Sequence, residues 1–162
     1  MDNILAIETS TDTCSVSIGN CQKVFSYHEN IPKQHTEKLF SVINNLLKES
    51  NLSYEDLSAL AVGIGPGSYT GVRLSCAVAQ GIAFSQQLKG VTLPSIELLS
   101  LQAHQEISSN VVVAISELHM GKVYICKSIF SEGSMESNYS IIPQEAFKRE
   151  VFPEETCFVG EG

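Results

Sequence analysis

A glycine-rich segment, GIGPGSYTG, is the first place in this sequence where residue types and spacing could do chemistry. It holds four glycines and one proline within the nine residues from Gly63 to Gly71. Glycine lets backbone N–H groups approach an anion, and a glycine-rich loop that opens a helix is a common phosphate site. The first hypothesis is therefore a nucleotide cradle.

The known phosphate motifs do not fit this segment. A Walker A loop requires a lysine after its last glycine, and no lysine lies between Lys48 and Lys89. A GxGxxG loop requires a third glycine where this chain has Ser68 or Thr70. The nucleophile elbow GxSxG also fails, because Ser68 directly follows Gly67.

A structural role for the glycine segment is favoured instead. Ser68 and Thr70 are both candidates for the residue that caps the following helix. Glycines before them would allow a tight turn and a close approach of backbone. We call the segment the motif loop, and its expected functional residues are Gly65, Pro66, Gly67, Ser68, Thr70 and Gly71.

A second candidate is a hydroxyl-rich turn near the start of the chain. Glu8 and Asp12 bracket the residues Thr9, Ser10 and Thr11. A carboxylate there could place a metal-bound phosphate or a water molecule. It could equally accept hydrogen bonds from the amides of the turn, which is the favoured interpretation of Glu8 taken alone.

The histidines do not have the spacing of a metal site. They are His28, His35, His104 and His119, and the residue four positions after His35 is Leu39. Neither HxxxH nor HExxH occurs, so no metal ligand is predicted. No catalytic residue is predicted either, because no nucleophile is paired with a base in the sequence.

Composition limits the function classes. The 162 residues carry a formal charge of −8, and acidic residues outnumber basic ones both before and after Asn110. A protein that binds phosphate backbones directly needs a basic surface, so unaided binding to nucleic acid is not expected. The five cysteines are scattered and suit a reducing compartment. With no basic leader and no apolar run long enough to span a bilayer, we expect a cytoplasmic protein with no membrane contact.

Hydrophobic periodicity predicts a mixed sheet flanked by helices. Apolar alternation and short apolar runs predict strands, and apolar residues at helical spacing predict helices. The expected strands lie near 4–7, 14–19, 23–31, 60–64, 90–93 and 111–116, and the expected helices near 34–49, 72–87 and 96–105. A faint repeat relates Ala6-Ile7 to Ala114-Ile115, each followed by a turn and an alternating strand. Two lobes of related design would explain it, and so would a chance similarity of two buried hairpins.

The helix predicted over 72–87 has small or apolar residues on both sides. One side carries Leu74, Ala77, Val78, Gly81 and Ile82, and the other carries Cys76, Ala79, Gln80, Ala83 and Phe84. A helix of this kind is buried on both sides. One side would face the sheet and the other a second molecule, although a wholly internal helix is the alternative.

Taken together, these segments resemble the TsaB (YeaZ) family. The resemblance rests on ILAIETSTDTCSVSI at the start, on QHTEKLF, on LAVGIGPGSYTGVRLSCAVAQGIA, and on HMGKVY further along. It covers essentially the whole chain and is strongest over residues 1–100. Family members usually continue for several dozen residues past FVGEG, so we expect a shortened chain or a fragment.

The resemblance implies an α/β fold of the actin-like/Hsp70-like ATPase (ASKHA) class with two ribonuclease-H-like lobes. We expect the N-terminal lobe over residues 1–108 and the start of a second, incomplete lobe over residues 109–162. The turn of Glu8, Thr9 and Ser10 would then be a vestigial nucleotide turn.

The resemblance also implies a function. TsaB proteins are non-catalytic partners of the related TsaD, and with the ATPase TsaE they support transfer of a threonylcarbamoyl group to adenosine 37 of tRNAs that read codons beginning with A. This implies no cofactor on the present chain, ATP and metal on partner subunits, tRNA contact only through the complex, and a homodimer in isolation. The alternatives are an independent ATP-binding ASKHA enzyme with Glu8 near a metal-bound phosphate and, least favoured, a glycoprotease-like metallopeptidase.

Pairing in the family uses the two helices that match 34–49 and 72–87 here. A charged residue at Ala79 or Ala83 is expected to abolish pairing while the fold stays intact. Many family members read DARMGEVY where this chain reads ELHMGKVY, so Glu117 and His119 put a role of that turn in doubt. The implied interface residues are His35, Leu39, Ile43, Arg73, Cys76, Ala79, Gln80 and Ala83.

Overall fold

A computed structural model describes residues 2–118 and 120–160 of the chain. The chain divides into two compact units, residues 1–93 and residues 94–162. Residues 94–108, which the sequence predicts as part of the first lobe, belong to the second unit.

The first unit is a five-stranded sheet with helices on one face. The sheet order is β3-β2-β1-β4-β5, in which β1, β4 and β5 run parallel and β2 is antiparallel to both of its neighbours. The elements are β1 (Asn3–Glu8), β2 (Thr13–Gly19), β3 (Val24–Asn30), α1 (His35–Ser50), a short 3₁₀ turn (Tyr54–Asp56), β4 (Leu57–Gly63), α2 (Tyr69–Gln86) and β5 (Lys89–Leu93).

The core of the first unit lies between this sheet and the two helices. Leu5 and Ile7 of β1 alternate with residues of the opposite face, as the period of a strand requires. They pack against the apolar stripe of α1, which includes Leu39 and Ile43. The stripe buries residues at helical spacing, which is the pattern that predicted this helix.

The second unit is a four-stranded sheet of order β8-β7-β6-β9. Strands β6, β7 and β8 are antiparallel neighbours, and β9 pairs with β6 in parallel. The elements are α3 (Ser95–Ile107), β6 (Val111–Leu118), β7 (Lys122–Ser131), β8 (Ser134–Pro143), α4 (Gln144–Phe147) and β9 (Cys157–Gly160).

The two sheets share one strand order. In each unit the first three strands form an antiparallel meander, and the fourth strand returns beside the first in parallel. This shared order is the structural counterpart of the repeat seen at Ala6-Ile7 and Ala114-Ile115. The two matched dipeptides lie in β1 and β6, which are the first strands of their sheets.

Candidate functional site

The motif loop is packed against the turn that follows β1. The Ser68 backbone N–H donates a 2.6 Å hydrogen bond to the Ser10 carbonyl, and the Thr9 hydroxyl donates a 2.7 Å hydrogen bond to the Gly71 carbonyl. A Cβ atom at Gly67 would collide with the Ser10 carbonyl oxygen, and one at Gly71 would collide with that of Thr9. The glycines are therefore required by a close approach between two backbone segments.

The loop also starts helix α2. Ser68 is the N-cap residue, and its side-chain oxygen accepts a 3.2 Å hydrogen bond from the Gly71 N–H. Thr70 lies inside the first turn of the helix and is exposed. The sequence offered Ser68 and Thr70 as candidates for the N-cap, and the structure shows that it is Ser68. Before it, Gly65 has a φ of 86°, in the region that favours glycine, and Pro66 follows directly.

The carboxylate of Glu8 serves the turn itself. Its Oε1 atom accepts a 2.5 Å hydrogen bond from the Ser10 backbone N–H, and the carboxylate lies where a Cβ of Gly63 would be. Thr9 is fully buried and Ser10 is 2% exposed. The motif loop covers these two residues, and their role as a vestigial nucleotide turn stays a prediction.

No group of three metal-ligating side chains occurs within residues 2–118 and 120–160. Burial raises the pKa of the Cys14 thiol above its usual value, which disfavours the reactive thiolate.

Glu117 is an exposed residue near the end of β6, and His119 lies outside the described residues.

Helices α1 and α2 together present an exposed face, which we call the helix-pair surface. On α1 the large apolar side chain at this surface is Phe40, which is 52% exposed. On α2 it is Phe84, which is 89% exposed. The other exposed residues of α2 are Tyr69, Thr70, Arg73, Ala77, Gln80, Gly81 and Ser85.

A shallow groove of about 300 Å³ runs beside Phe40 on this surface. Gly81 lies in its lining, and a Cβ atom there would meet no other atom within 4 Å. The groove is thus open above α2 and could accept a side chain from another molecule. Its lining residues are Phe40, Tyr54, Val78, Gly81, Ile82, Ser85 and Gln86.

The helix-pair surface carries a single charged residue on α2, namely Arg73. The Arg73 guanidinium lies 3.9 Å from the centroid of the Tyr69 ring, one helical turn away. Stacking of this kind holds the guanidinium in place and leaves its N–H donors available to an acceptor. Arg73 can therefore pair with a carboxylate.

The structure separates the predicted interface residues into two groups. Arg73 and Gln80 are exposed, whereas Cys76 and Ala83 are partly buried and pack against the core cluster. The remaining four, His35, Leu39, Ile43 and Ala79, are buried within the first unit. Their side chains face this chain's own core, whereas Phe40 and Phe84 lie exposed on the same two helices. The interface itself stays a prediction.

Sequence reasoning did not single out Phe40 or Tyr54. Phe40 is an apolar residue outside the buried stripe of α1, since it directly follows Leu39. An apolar residue on the polar side of an amphipathic helix is a detectable signal of an interaction surface. Tyr54 comes from the 3₁₀ turn and donates a 3.1 Å hydrogen bond to the Asn44 side chain of α1, which no sequence pattern indicated.

These features define a class: an α/β protein of two units that share one strand order, with an exposed pair of helices on the first unit. Comparison with known proteins agrees. A family model described as TsaD, tRNA N6-adenosine threonylcarbamoyltransferase, matches residues 27–149. Two solved structures of Pseudomonas aeruginosa proteins, one titled YeaZ and the other an uncharacterized protein with similarity to peptidase YEAZ, are each 31% identical to this chain.

The structural likeness covers most of this chain. TM-scores are 0.86 and 0.85, over 94% of this chain and 70% and 71% of the two solved chains. Among curated relatives, the Escherichia coli tRNA threonylcarbamoyladenosine biosynthesis protein TsaB is 36% identical over 75% of this chain. The Haemophilus influenzae protein of the same name is 31% identical over 95% of this chain. This chain belongs to the TsaB (YeaZ) family, and its predicted family and fold class are confirmed.

The match leaves part of the relatives uncovered. This chain spans 52% of the Escherichia coli protein and 63% of the Haemophilus influenzae protein.

Among the described residues, no helix is both long enough and apolar enough to cross a bilayer.

Proposed function

We propose that this chain is a non-catalytic subunit in tRNA threonylcarbamoyladenosine biosynthesis. It would pair with a TsaD-type catalytic paralogue through the helix-pair surface and, with a TsaE-type ATPase, support threonylcarbamoylation of adenosine 37 in tRNAs that read codons beginning with A. The observation that carries this proposal is the combination of an exposed Phe84 with an exposed Phe40 that lines an open groove above Gly81.

The physical support is the arrangement of this surface. Interface hot spots combine large apolar side chains with a well-packed pocket, and an arginine frequently accompanies them. The helix-pair surface holds all three elements within two neighbouring helices, while the buried stripes of α1 and α2 pack in the core of the first unit. Large exposed apolar residues beside a groove are characteristic of a protein-binding site.

The remaining roles follow from this assignment. The partner subunits would hold ATP and metal, and this chain would supply no cofactor of its own. With a formal charge of −8, it would meet tRNA only through the complex. In isolation the same surface would form a homodimer, since an isologous dimer uses one patch of both copies. The proposed location is the cytoplasm, where the tRNA substrate is found.

A capture assay with a TsaD-type protein tests the pairing. Phe84→Glu and Gly81→Asp place a charge on the helix-pair surface, where burial against a partner would leave it unpaired. We expect each variant to weaken capture by at least about 30-fold, which corresponds to the 2 kcal/mol that defines a hot spot. The matched control is Val151→Glu, because Val151 is another apolar residue, 95% exposed, that belongs to the second unit.

The same variants belong in a modification assay that contains the TsaD-type and TsaE-type proteins and tRNA. Activity should depend on this chain and fall in step with capture for Phe84→Glu. Undiminished capture by both charged variants would contradict the interface assignment. Saturable binding of ATP and magnesium to the isolated chain, lost in Glu8→Ala, would contradict the non-catalytic role and support an independent ATP-binding enzyme.

A further inference from the structure

Strand β3 forms one edge of the first sheet, where β2 is its neighbour among the described strands. Its seven residues pair with β2 in one unbroken antiparallel register. The edge of a sheet presents a row of backbone N–H and C=O groups to which a further strand can be added. The free side of β3 is therefore a surface that can accept a strand from another molecule.

Hydrogen bonds at the two ends of the β2–β3 hairpin show which backbone groups face this free side. The Asn20 N–H donates a 2.9 Å hydrogen bond to the Lys23 carbonyl, and the Ile31 N–H donates a 2.9 Å hydrogen bond to the Asp12 carbonyl. Along an antiparallel strand, residues bonded to the neighbour alternate with residues whose backbone groups point away from it. The residues of β3 that point away from β2 are therefore Val24, Ser26, His28 and Asn30.

This edge carries little of the protection that edge strands usually have. Proline, a β-bulge or several charged side chains commonly prevent such strands from pairing with other molecules. Strand β3 contains no proline and a single charged residue, Glu29, and its register with β2 has no shift. Val24 on the same strand is 62% exposed. The backbone of β3 is thus free to take part in a further ladder.

The side chains on one face of β3 form a self-complementary row. Because side chains alternate along a strand, Lys23, Phe25, Tyr27 and Glu29 lie on the same face. The Lys23 ammonium lies 4.4 Å from the centroid of the Phe25 ring, and the Tyr27 hydroxyl donates a 2.9 Å hydrogen bond to the Glu29 carboxylate. In order, the row is a cation, two aromatic rings and an anion. A copy that runs in the opposite direction places anion against cation and ring against ring.

We propose that β3 is an interface between two copies of this chain, paired antiparallel about a two-fold axis at Ser26. In this register Lys23 of each copy lies opposite Glu29 of the other, and Phe25 lies opposite Tyr27. The hydrogen-bonded pairs are Ser26 with Ser26 and Val24 with His28, which are the residues whose backbone groups already point outward. The interface is isologous, so each of these contacts except the central one occurs twice.

The backbone and the side chains select the same register. Moving it by two residues places Lys23 opposite Tyr27 or Ile31, and both ion pairs are then lost. In the proposed register, the ion pairs and the aromatic pairs lie at sites without backbone hydrogen bonds, where side chains of opposite strands are closest. Phe25 and Tyr27 already pack against the core cluster of the first unit. The second copy would cover the part of each ring that is still exposed.

Charge favours a second copy on β3 rather than on the corresponding edge of the second unit. Strand β8 is an edge strand of that unit, and Glu136 is its only charged residue. Antiparallel self-pairing of β8 therefore brings no opposite charges together in any register. The β3 interface shares no residue with the helix-pair surface, and the proposal does not rest on the proposed function.

Sedimentation equilibrium tests the proposal on the Phe84→Glu protein, in which the helix-pair surface carries a charge. We expect this protein to form a reversible dimer. Glu29→Lys on that background places lysine opposite lysine at both ends of the interface and should raise the dissociation constant at least about tenfold. Exchange of the two charges, Lys23→Glu with Glu29→Lys, restores both ion pairs and should recover most of the lost affinity.

Glu136→Lys is the matched control, since it makes the same change of charge at an exposed position of β8 and should leave the dissociation constant unchanged. Lys23 and Glu29 are exposed, so circular dichroism should show the same fold for every variant. Hydrogen exchange gives a second readout, because the outward amides of Val24, Ser26 and His28 should gain protection as the dimer forms.

Three results would overturn the proposal. The first is a Phe84→Glu protein that stays monomeric at every concentration, which would leave the helix-pair surface as the site of any homodimer. The second is a dimer that Glu29→Lys does not weaken. The third is a folded double variant, Lys23→Glu with Glu29→Lys, that dimerises no better than Glu29→Lys alone.

Discussion

The hydroxyl of Thr9 donates a 2.7 Å hydrogen bond to the carbonyl of Gly71, across 62 positions of sequence. This contact joins the end of β1 to the first turn of α2 in a place where both residues are buried. The same approach brings the Thr9 carbonyl against the Gly71 Cα. The orientation of α2, and with it the position of Phe84, therefore depends on the absence of a side chain at residue 71.

Gly71→Ala should destabilise the fold, because its Cβ would meet the Thr9 carbonyl oxygen, a backbone atom that cannot move aside cheaply. Overpacking of this kind costs about 1–3 kcal/mol. Gly81→Ala in the same helix is the matched control, since its Cβ meets no atom within 4 Å. Alanine there should stabilise the helix by roughly 0.5–1 kcal/mol. Urea unfolding followed by circular dichroism measures both, and equal effects of the two changes would refute the packing account.

Ser68→Ala should remove the N-cap of α2 and lower the free energy of unfolding by about 1 kcal/mol. Thr70→Ala is the matched control inside the first turn, where alanine has the better helix propensity, so its effect should be close to zero or slightly stabilising. The midpoint of urea unfolding distinguishes the two. If Thr70→Ala lowered the free energy of unfolding more than Ser68→Ala did, the assignment of Ser68 as the N-cap would be wrong.

Periodicity was sufficient to predict α1, because its buried positions recur at helical spacing and its polar positions lie opposite them. Periodicity also sufficed to predict strands β1 and β2, since their residues alternate between a buried and a half-exposed face. Helix α2 begins three residues before the predicted start at 72, because Ser68 rather than a later residue caps it.

The outward face of α2 could not be derived in the same way. Ala79 and Ala83 are as small as Ala77, so hydrophobicity alone does not say which of them faces the sheet. The local sequence pattern also could not predict which sheet α3 packs against, because the apolar stripe of α3 could pack on any apolar face. Long-range packing decides both, and it places Ala79 inside and α3 with the second unit.

Acid should weaken the 3₁₀ turn that follows α1. The side-chain hydroxyl and the backbone N–H of Ser53 both donate to the Asp56 carboxylate, and these bonds lower its pKa from the ordinary 3.8. Because the folded pKa is the lower one, the stabilisation is present above pH 3.8 and is lost as the pH falls through the folded value. Titration of Asp56 by NMR should give a midpoint below 3.8, and Ser53→Ala should move that midpoint upward. A midpoint that Ser53→Ala leaves in place would contradict the assignment.

Ala79→Asp and Phe84→Glu separate folding from pairing on one helix. Ala79 is buried in the core cluster, so an aspartate there would place an unpaired charge in an apolar interior. Burial of an uncompensated charge costs several kcal/mol, and we expect Ala79→Asp to unfold the first unit or to lower its thermal midpoint by more than about 10 °C. Phe84→Glu changes a side chain that is 89% exposed and should leave the midpoint within about 2 °C. Thermal unfolding by circular dichroism, run beside size-exclusion chromatography, measures both properties. A folded Ala79→Asp protein that fails to pair would show that Ala79 faces the partner after all, and the face assigned to Phe40 and Phe84 would then be wrong.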